Sequence, residues 1–67
     1  MEIKLVSNIE YCIEQRGFKK KYVADRLGVS VVVLSRWINN HSKPSLENAF
    51  RLSVILDCTV DDLFKVE

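Results

Sequence analysis

Two residues constrain this chain more than any others: Ala24, and the glycine that follows it at position 28. Both lie within the stretch from Lys20 to Trp37, where two short amphipathic segments meet at Gly28-Val29-Ser30. Glycine there relieves the steric cost of a positive φ, and Ser30 can cap the segment that follows. An alanine fits a point where two helices cross closely and steeply. Val23, Leu27, Val29, Leu34 and Trp37 supply the apolar positions that fix the angle between them. A generic helical hairpin does not need the small residue and the turn glycine at these two offsets together.

The rest of the chain reads as short helices around this pair. Leu5, Val6, Ile9, Cys12 and Ile13 recur at helical spacing, which predicts a first helix over residues 7–16. Ser7 and Glu10 have the spacing of a capping box, and Gly17 that of a left-handed cap with Phe18 packing back on the last turn. The second helix is expected over 20–27 and the third over 31–39. Val31-Val32-Val33 favours strand locally, but the Ser30 cap and the 34/37/38 spacing keep the segment helical. After a loop from Asn39 to Pro44, in which Asn40 suits the left-handed region, Ser45 caps a fourth helix over 46–56. Thr59 caps a fifth over 60–64. The expectation is all-α: a compact five-helix bundle, with residues 1–67 forming a single domain.

Composition narrows the function classes. Sixty-seven residues, 48% hydrophobic with two glycines and one proline, suit one small packed core. Cys12 and Cys58 lie in apolar-periodic stretches without zinc or disulfide spacing, and read as reduced core residues of a cytoplasmic protein. No signal peptide or membrane span is visible, and no cofactor is expected. The lone His41 has no clustered ligands, so no metal is expected. Nor is there a nucleophile–base pair, carboxylate dyad or phosphate-binding glycine loop, so the chain does not read as an enzyme.

The net charge is only +1, but it is unevenly spread. Residues 1–15 hold Lys4 against Glu2, Glu10 and Glu14, for −2. Residues 16–43 hold Arg16, Lys19, Lys20, Lys21, Arg26, Arg36 and Lys43 against Asp25, for +6. Residues 44–67 hold Arg51 and Lys65 against Glu47, Asp57, Asp61, Asp62 and Glu67, for −3. A basic middle segment suits a face that meets a polyanion, although a solvated charged surface would give the same count.

Taken together, Val23-Ala24, Leu27-Gly28-Val29-Ser30, Leu34-Ser35-Arg36-Trp37, Asn39, Pro44-Ser45-Leu46-Glu47 and Asp61-Asp62-Leu63-Phe64 resemble the lambda-repressor-like helix-turn-helix family of phage repressors, Cro proteins and XRE-type regulators. The resemblance spans about residues 9 to 64. The turn alone would also suit excisionase or MerR-type winged helices, but a winged helix needs strands where residues 45–64 read as a helix pair. Three features depart from the family pattern. Lys20 stands for its usual glutamine, Ile13 and Ile38 for its frequent arginine–glutamate pair, and Asp57 for the glycine that usually ends the fourth helix.

The resemblance implies roles residue by residue. The third helix would enter the DNA major groove, with Val31, Val32 and Arg36 reaching base edges and Ser35 nearby. Lys19, Lys20, Lys21, Ser30, Asn39, His41 and Lys43 would hold phosphate. A homodimer on an inverted-repeat operator is implied, with contacts at Val54, Val60 and Val66. The implied function is a sequence-specific regulator of transcription by repression, acting on double-stranded DNA with no membrane involved. The alternative is an antitoxin-like or other protein-interaction module on the same fold, for which an exposed Val54 could mark the partner surface.

Overall fold

The chain ends meet in a two-stranded antiparallel sheet that the all-α expectation lacked. A computed structural model describes residues 3–67, and Glu2, counted above in the acidic N-terminal stretch, lies outside them. Strand β1 (Leu5–Ser7) pairs with β2 (Phe64–Val66), placing Leu5 opposite Val66, Val6 opposite Lys65 and Ser7 opposite Phe64. The Glu67 N–H continues the ladder to the Lys4 carbonyl at 2.8 Å. Five helices lie between the strands: α1 (Ile9–Arg16), α2 (Lys20–Leu27), α3 (Val31–Ile38), α4 (Leu46–Ile55) and α5 (Val60–Leu63).

The sheet also overturns the expected start of α1. Ser7 belongs to β1, and its hydroxyl accepts the Ile9 N–H at 3.2 Å rather than forming a capping box with Glu10. Asn8 takes the N-cap position without a side-chain cap, because its amide donates instead to the Asp62 carbonyl at 3.0 Å. At the other end of the chain Phe64 leaves the expected fifth helix for β2, so α5 is one turn long. Helices α3 and α4 each stop one residue short of expectation, with Asn39 and Leu56 as C-caps.

Elsewhere the local chemistry acts as read. Gly17 ends α1 at φ 70, with its N–H on Glu14 and that of Phe18 on the Ile13 carbonyl. That is the Schellman arrangement, open only to a residue tolerating the left-handed region. Gly28 ends α2 at φ 76. A Cβ at either glycine would meet nothing within 4 Å, so backbone angle rather than space selects glycine. Asp57 adopts φ 51 after α4, where the family favours glycine, and Asn40 adopts φ 64 after α3. Ser30 accepts the Val33 N–H, Ser45 the Asn48 N–H and Thr59 the Asp62 N–H, each at 3.1 Å. Thr59 completes a capping box, since the Asp62 carboxylate accepts the Thr59 N–H at 3.0 Å. These bonds to Thr59, the backbone one first, hold the Asp62 carboxyl below its ordinary pKa.

One core joins all five helices: Ile9, Cys12 and Ile13 from α1; Val23, Ala24 and Leu27 from α2; Leu34, Trp37 and Ile38 from α3; Leu52, Leu56 and Leu63 from the last pair. Ala24 is buried, as a close crossing requires, and Ile13 and Ile38 share the core in place of an ion pair. Trp37 is buried too, so it packs and does not stack on a base. Cys12 is buried and Cys58 half-buried, with neither in a disulfide. The Cys12 thiol donates to the Asp62 carbonyl at 3.4 Å, and its pKa is raised, chiefly by burial. Burial, followed by the neighbouring Cys12, pushes the Cys58 thiol up to about 11.

Candidate nucleic-acid interface

Helix α3 has two unlike sides. Leu34, Trp37 and Ile38 face the core. At a hundred degrees per residue the opposite crest falls on Val32 and Arg36, flanked on one side by Val31 and Ser35 and on the other by Val33. The exposures follow this geometry. Val32 is 70% exposed, Val31 and Val33 are 39% and 37%, Arg36 is exposed and Ser35 half-buried. Val33 was not among the expected contact residues, yet it is displayed as openly as Val31. Its signal was available in the helical period, but the valine run hid it, because three adjacent valines show no periodicity. Three exposed valines in a single helix are unfavourable in water, and such a patch gains by meeting an apolar surface.

The basic residues around α3 divide into free and engaged groups. Lys19 is the N-cap of α2, and Lys20 and Lys21 open the helix, where no acidic residue balances its dipole. All three are exposed, and Lys20 is engaged: its ammonium lies 3.5 Å from the Glu10 carboxylate of α1. Glu10 was expected to cap its own helix and instead reaches across to α2. On the outer side of α2, the Tyr22 ring packs tilted against Phe18 with centroids 4.9 Å apart, the Arg26 guanidinium lies 5.9 Å from the Tyr22 ring, and that of Arg16 lies 5.7 Å from Phe18. This leaves the Arg26 charge outside the expected phosphate set, held over an aromatic face.

The loop after α3 is wound back on the helix. The Asn39 N–H bonds to Ser35, and those of His41 and Ser42 both bond to the Arg36 carbonyl, at 2.9 and 3.3 Å. Asn40 turns its side chain toward β1, where its oxygen accepts the Ser7 N–H at 2.7 Å. Lys43 reaches the same strand, donating to the Leu5 carbonyl at 3.3 Å. Asn39 and His41 remain exposed with no side-chain partner among the described residues. Asn40 was expected only to supply a left-handed residue. Its latch on β1 could not be read without knowing that β1 exists.

The residues expected to touch a second copy lie on three elements. Val54 on α4 is 79% exposed, Val66 on β2 is 69%, and Val60 at the start of α5 is half-buried. Val60 lines a shallow apolar groove with Leu5, Leu46, Ala49 and Phe64, and Leu5 faces Val66 across the sheet. Leu46 and Phe50, unforeseen in the sequence, are exposed at 73% and 56%. Among the described residues, no helix is long and apolar enough to cross a membrane.

Comparison with known proteins supplies the family. A helix-turn-helix family model matches residues 9–63. Among solved structures, the crystal structure of a candidate DNA-binding protein from Bacteroides fragilis aligns with a TM-score of 0.87 at 22% identity, over 92% of this chain and 100% of that one. At that identity the likeness shows the fold alone. No curated protein is a significant match to the sequence. With its turn glycine, its buried alanine and its matched core from Ile9 to Leu63, the chain belongs to the lambda-repressor-like, XRE-type helix-turn-helix family, whose members are DNA-binding regulators rather than enzymes.

Proposed function

We propose that this chain, as a single domain over residues 1–67, is a cytoplasmic, sequence-specific repressor that binds double-stranded DNA as a homodimer and lays α3 in the major groove. The observation carrying the reading is the outer crest of α3, where Val32 stands 70% exposed beside an exposed Arg36 on a helix whose other face is locked into the core. Arginine can pair bidentately with guanine O6 and N7, and valine can specify only by contact with the thymine methyl. Arg36, Val31 and Val32 therefore read a G·C pair beside A·T pairs, with Ser35 on the flank.

Phosphate is held by Lys19, Lys20, Lys21, Asn39, His41 and Lys43, and by Ser30 at the start of α3. Lys20 must first release Glu10. That exchange is inexpensive, because an exposed pair of this kind contributes about 0–1 kcal/mol. One recognition helix contacts too few base pairs for high specificity, so the operator is an inverted repeat whose half-sites lie roughly 34–36 Å apart. Repression follows from the family resemblance, by occupancy of the operator.

Selection of bound sequences from random duplex DNA tests the reading. It should return an inverted repeat with a G·C position beside A·T pairs, and affinity should fall steeply with salt as phosphate counterions are released. Failure to bind any duplex at low salt would overturn it.

A further inference from the structure

The first turn of α3 shows solvent one kind of chemistry. Val31, Val32 and Val33 are the first three residues after the Ser30 cap, and all three are exposed, Val32 the most. A helical valine is held in one χ1 rotamer, so the three present a stiff surface of methyl groups with little freedom left to lose on contact. The polar groups beside them are few. Arg36 offers donors only, and among the described residues it has no ion pair. The half-buried Ser35 hydroxyl donates or accepts alike. The helix carries no Asp, Glu, Asn or Gln.

That residue set decides which bases the helix can tell apart. In the major groove thymine shows a carbonyl oxygen and a 5-methyl group, whereas cytosine shows an amino group. A carboxylate selects cytosine by accepting from the amino group, and an apolar side chain selects thymine by touching the methyl. Helix α3 has no carboxylate for the first task and three valines for the second. Arg36, its one strong donor, is committed to guanine. The helix therefore sorts pyrimidines by the methyl group and is blind to the exocyclic group beside it. A methyl on cytosine meets the same surface as a methyl on thymine. Val32 and Arg36 stand one turn apart, about 5–6 Å between Cβ atoms, against roughly 3.4 Å between successive bases of a strand. The pair spans one to two base steps, so a methylated cytosine next to guanine fits it as well as a thymine next to guanine.

We infer that α3 recognises the 5-methyl group of a pyrimidine as such, so that 5-methylcytosine replaces thymine opposite the valines and duplex DNA methylated at cytosine is a ligand class of this domain. This rests on the DNA reading proposed above and extends its site to a second chemical form. Cytosine methylation thereby creates sites for the domain where the unmodified sequence offers none.

Selection with the full chain, run from random duplex DNA and again from a pool in which 5-methylcytosine replaces every cytosine, tests the inference. The first pool should return thymine at the A·T positions of the site. The second should return thymine and 5-methylcytosine there interchangeably. Titrations of one selected duplex then compare thymine, uracil, cytosine and 5-methylcytosine at each such position. Thymine to uracil should weaken binding about three- to fivefold, and cytosine to 5-methylcytosine should tighten it by the same factor, as burial of one methyl group predicts. Val32→Ala should shrink both factors together, with circular dichroism unchanged because the side chain is exposed. The inference falls if 5-methylcytosine binds no tighter than cytosine wherever thymine outbinds uracil, for then the exocyclic group is read. It falls too if Val31→Ala, Val32→Ala and Val33→Ala all keep the full methyl gain, for then the gain belongs to the shape and stiffness of the DNA. Either result with duplex binding intact overturns this inference alone, whereas no binding to any duplex overturns the reading beneath it.

Discussion

The Asn40 side-chain oxygen accepts the Ser7 backbone N–H at 2.7 Å, tying the turn that ends α3 to β1 across 33 residues of sequence. Asn40 holds φ 64 while doing so. Two demands therefore fall on one residue, an acceptor and tolerance of the left-handed region. Asn40→Ala meets neither and should lower stability by about 1–2 kcal/mol. Asn40→Gly loses only the acceptor and should cost about half as much. Chemical denaturation of the pair separates the two contributions, and equal losses would show that backbone strain is absent.

Ala24 is 1% exposed within the shared core. Ala24→Leu overpacks that site and should cost about 1–3 kcal/mol. A lowered thermal midpoint is the expected readout, accompanied by weaker DNA binding. An unchanged midpoint would mean that the crossing is loosely packed.

Ile13 and Ile38 are 3% and 8% exposed in the same cluster. Ile38→Glu should lose several kcal/mol by burying an unpaired charge. Adding Ile13→Arg should recover part of the loss by supplying a partner. The measurement is a double-mutant cycle in denaturant, and zero coupling would separate the two residues.

Lys20 and Arg36 should behave differently on DNA. Arg36→Ala should relax preference at the G·C position, whereas Lys20→Ala should weaken all sequences by similar factors and lower the salt slope by roughly one. Because Glu10 engages Lys20 at 3.5 Å, Glu10→Gln should act oppositely and tighten binding to every sequence. Val31→Ala and Val32→Ala should each blur preference for an A·T pair. Affinity titrations at several salt concentrations read the Lys20 and Glu10 variants, binding profiles over a randomised operator read the other three, and an unaltered profile for both valine variants would remove them from base reading.

The two thiols should be slow to react. Burial raises both, and Cys58 stands at about 11. A group whose folded pKa lies above its unfolded one keeps its proton until pH passes the folded value. Reactivity toward a maleimide at pH 8 should therefore be far below that of a free cysteine, and should climb about tenfold per pH unit beyond 9. A plateau near pH 9 would show that Cys58 is open to solvent.

What could be read from the sequence was whatever depends on neighbours in the chain. The Ser30, Ser45 and Thr59 caps, the left-handed Gly17, Gly28 and Asn40, and the inward faces of α2 and α3 follow from residues within one or two helical turns. What could not be read depends on partners far away. Leu5-Val6-Ser7 continues the helical spacing of Ile9, Cys12 and Ile13, and only pairing with Phe64-Lys65-Val66 makes it a strand. Three residues at each end carry too little alternation to announce a sheet. The same distance hid the Asn40 latch, the Lys43 bond to Leu5 and the Glu10–Lys20 pair. At the candidate interface, Val32 and Arg36 were legible from the helical period, while the exposure of Leu46 and Phe50 had no signal in the sequence, because an apolar residue does not announce that it faces solvent.

The β1–β2 pairing also governs how this domain could be joined to anything else. Leu5 and Val66 stand opposite each other, so peptide continued from either strand leaves from one edge, with leads about 5 Å apart. A host protein could carry the domain as a plug-in within a single surface loop, with no need to stretch that loop around it. A pull on the two leads would open the sheet from its Leu5–Val66 end and load the Lys43 and Asn40 bonds to β1 along with it, so the strands and that latch would act as a mechanical fuse ahead of the bundle.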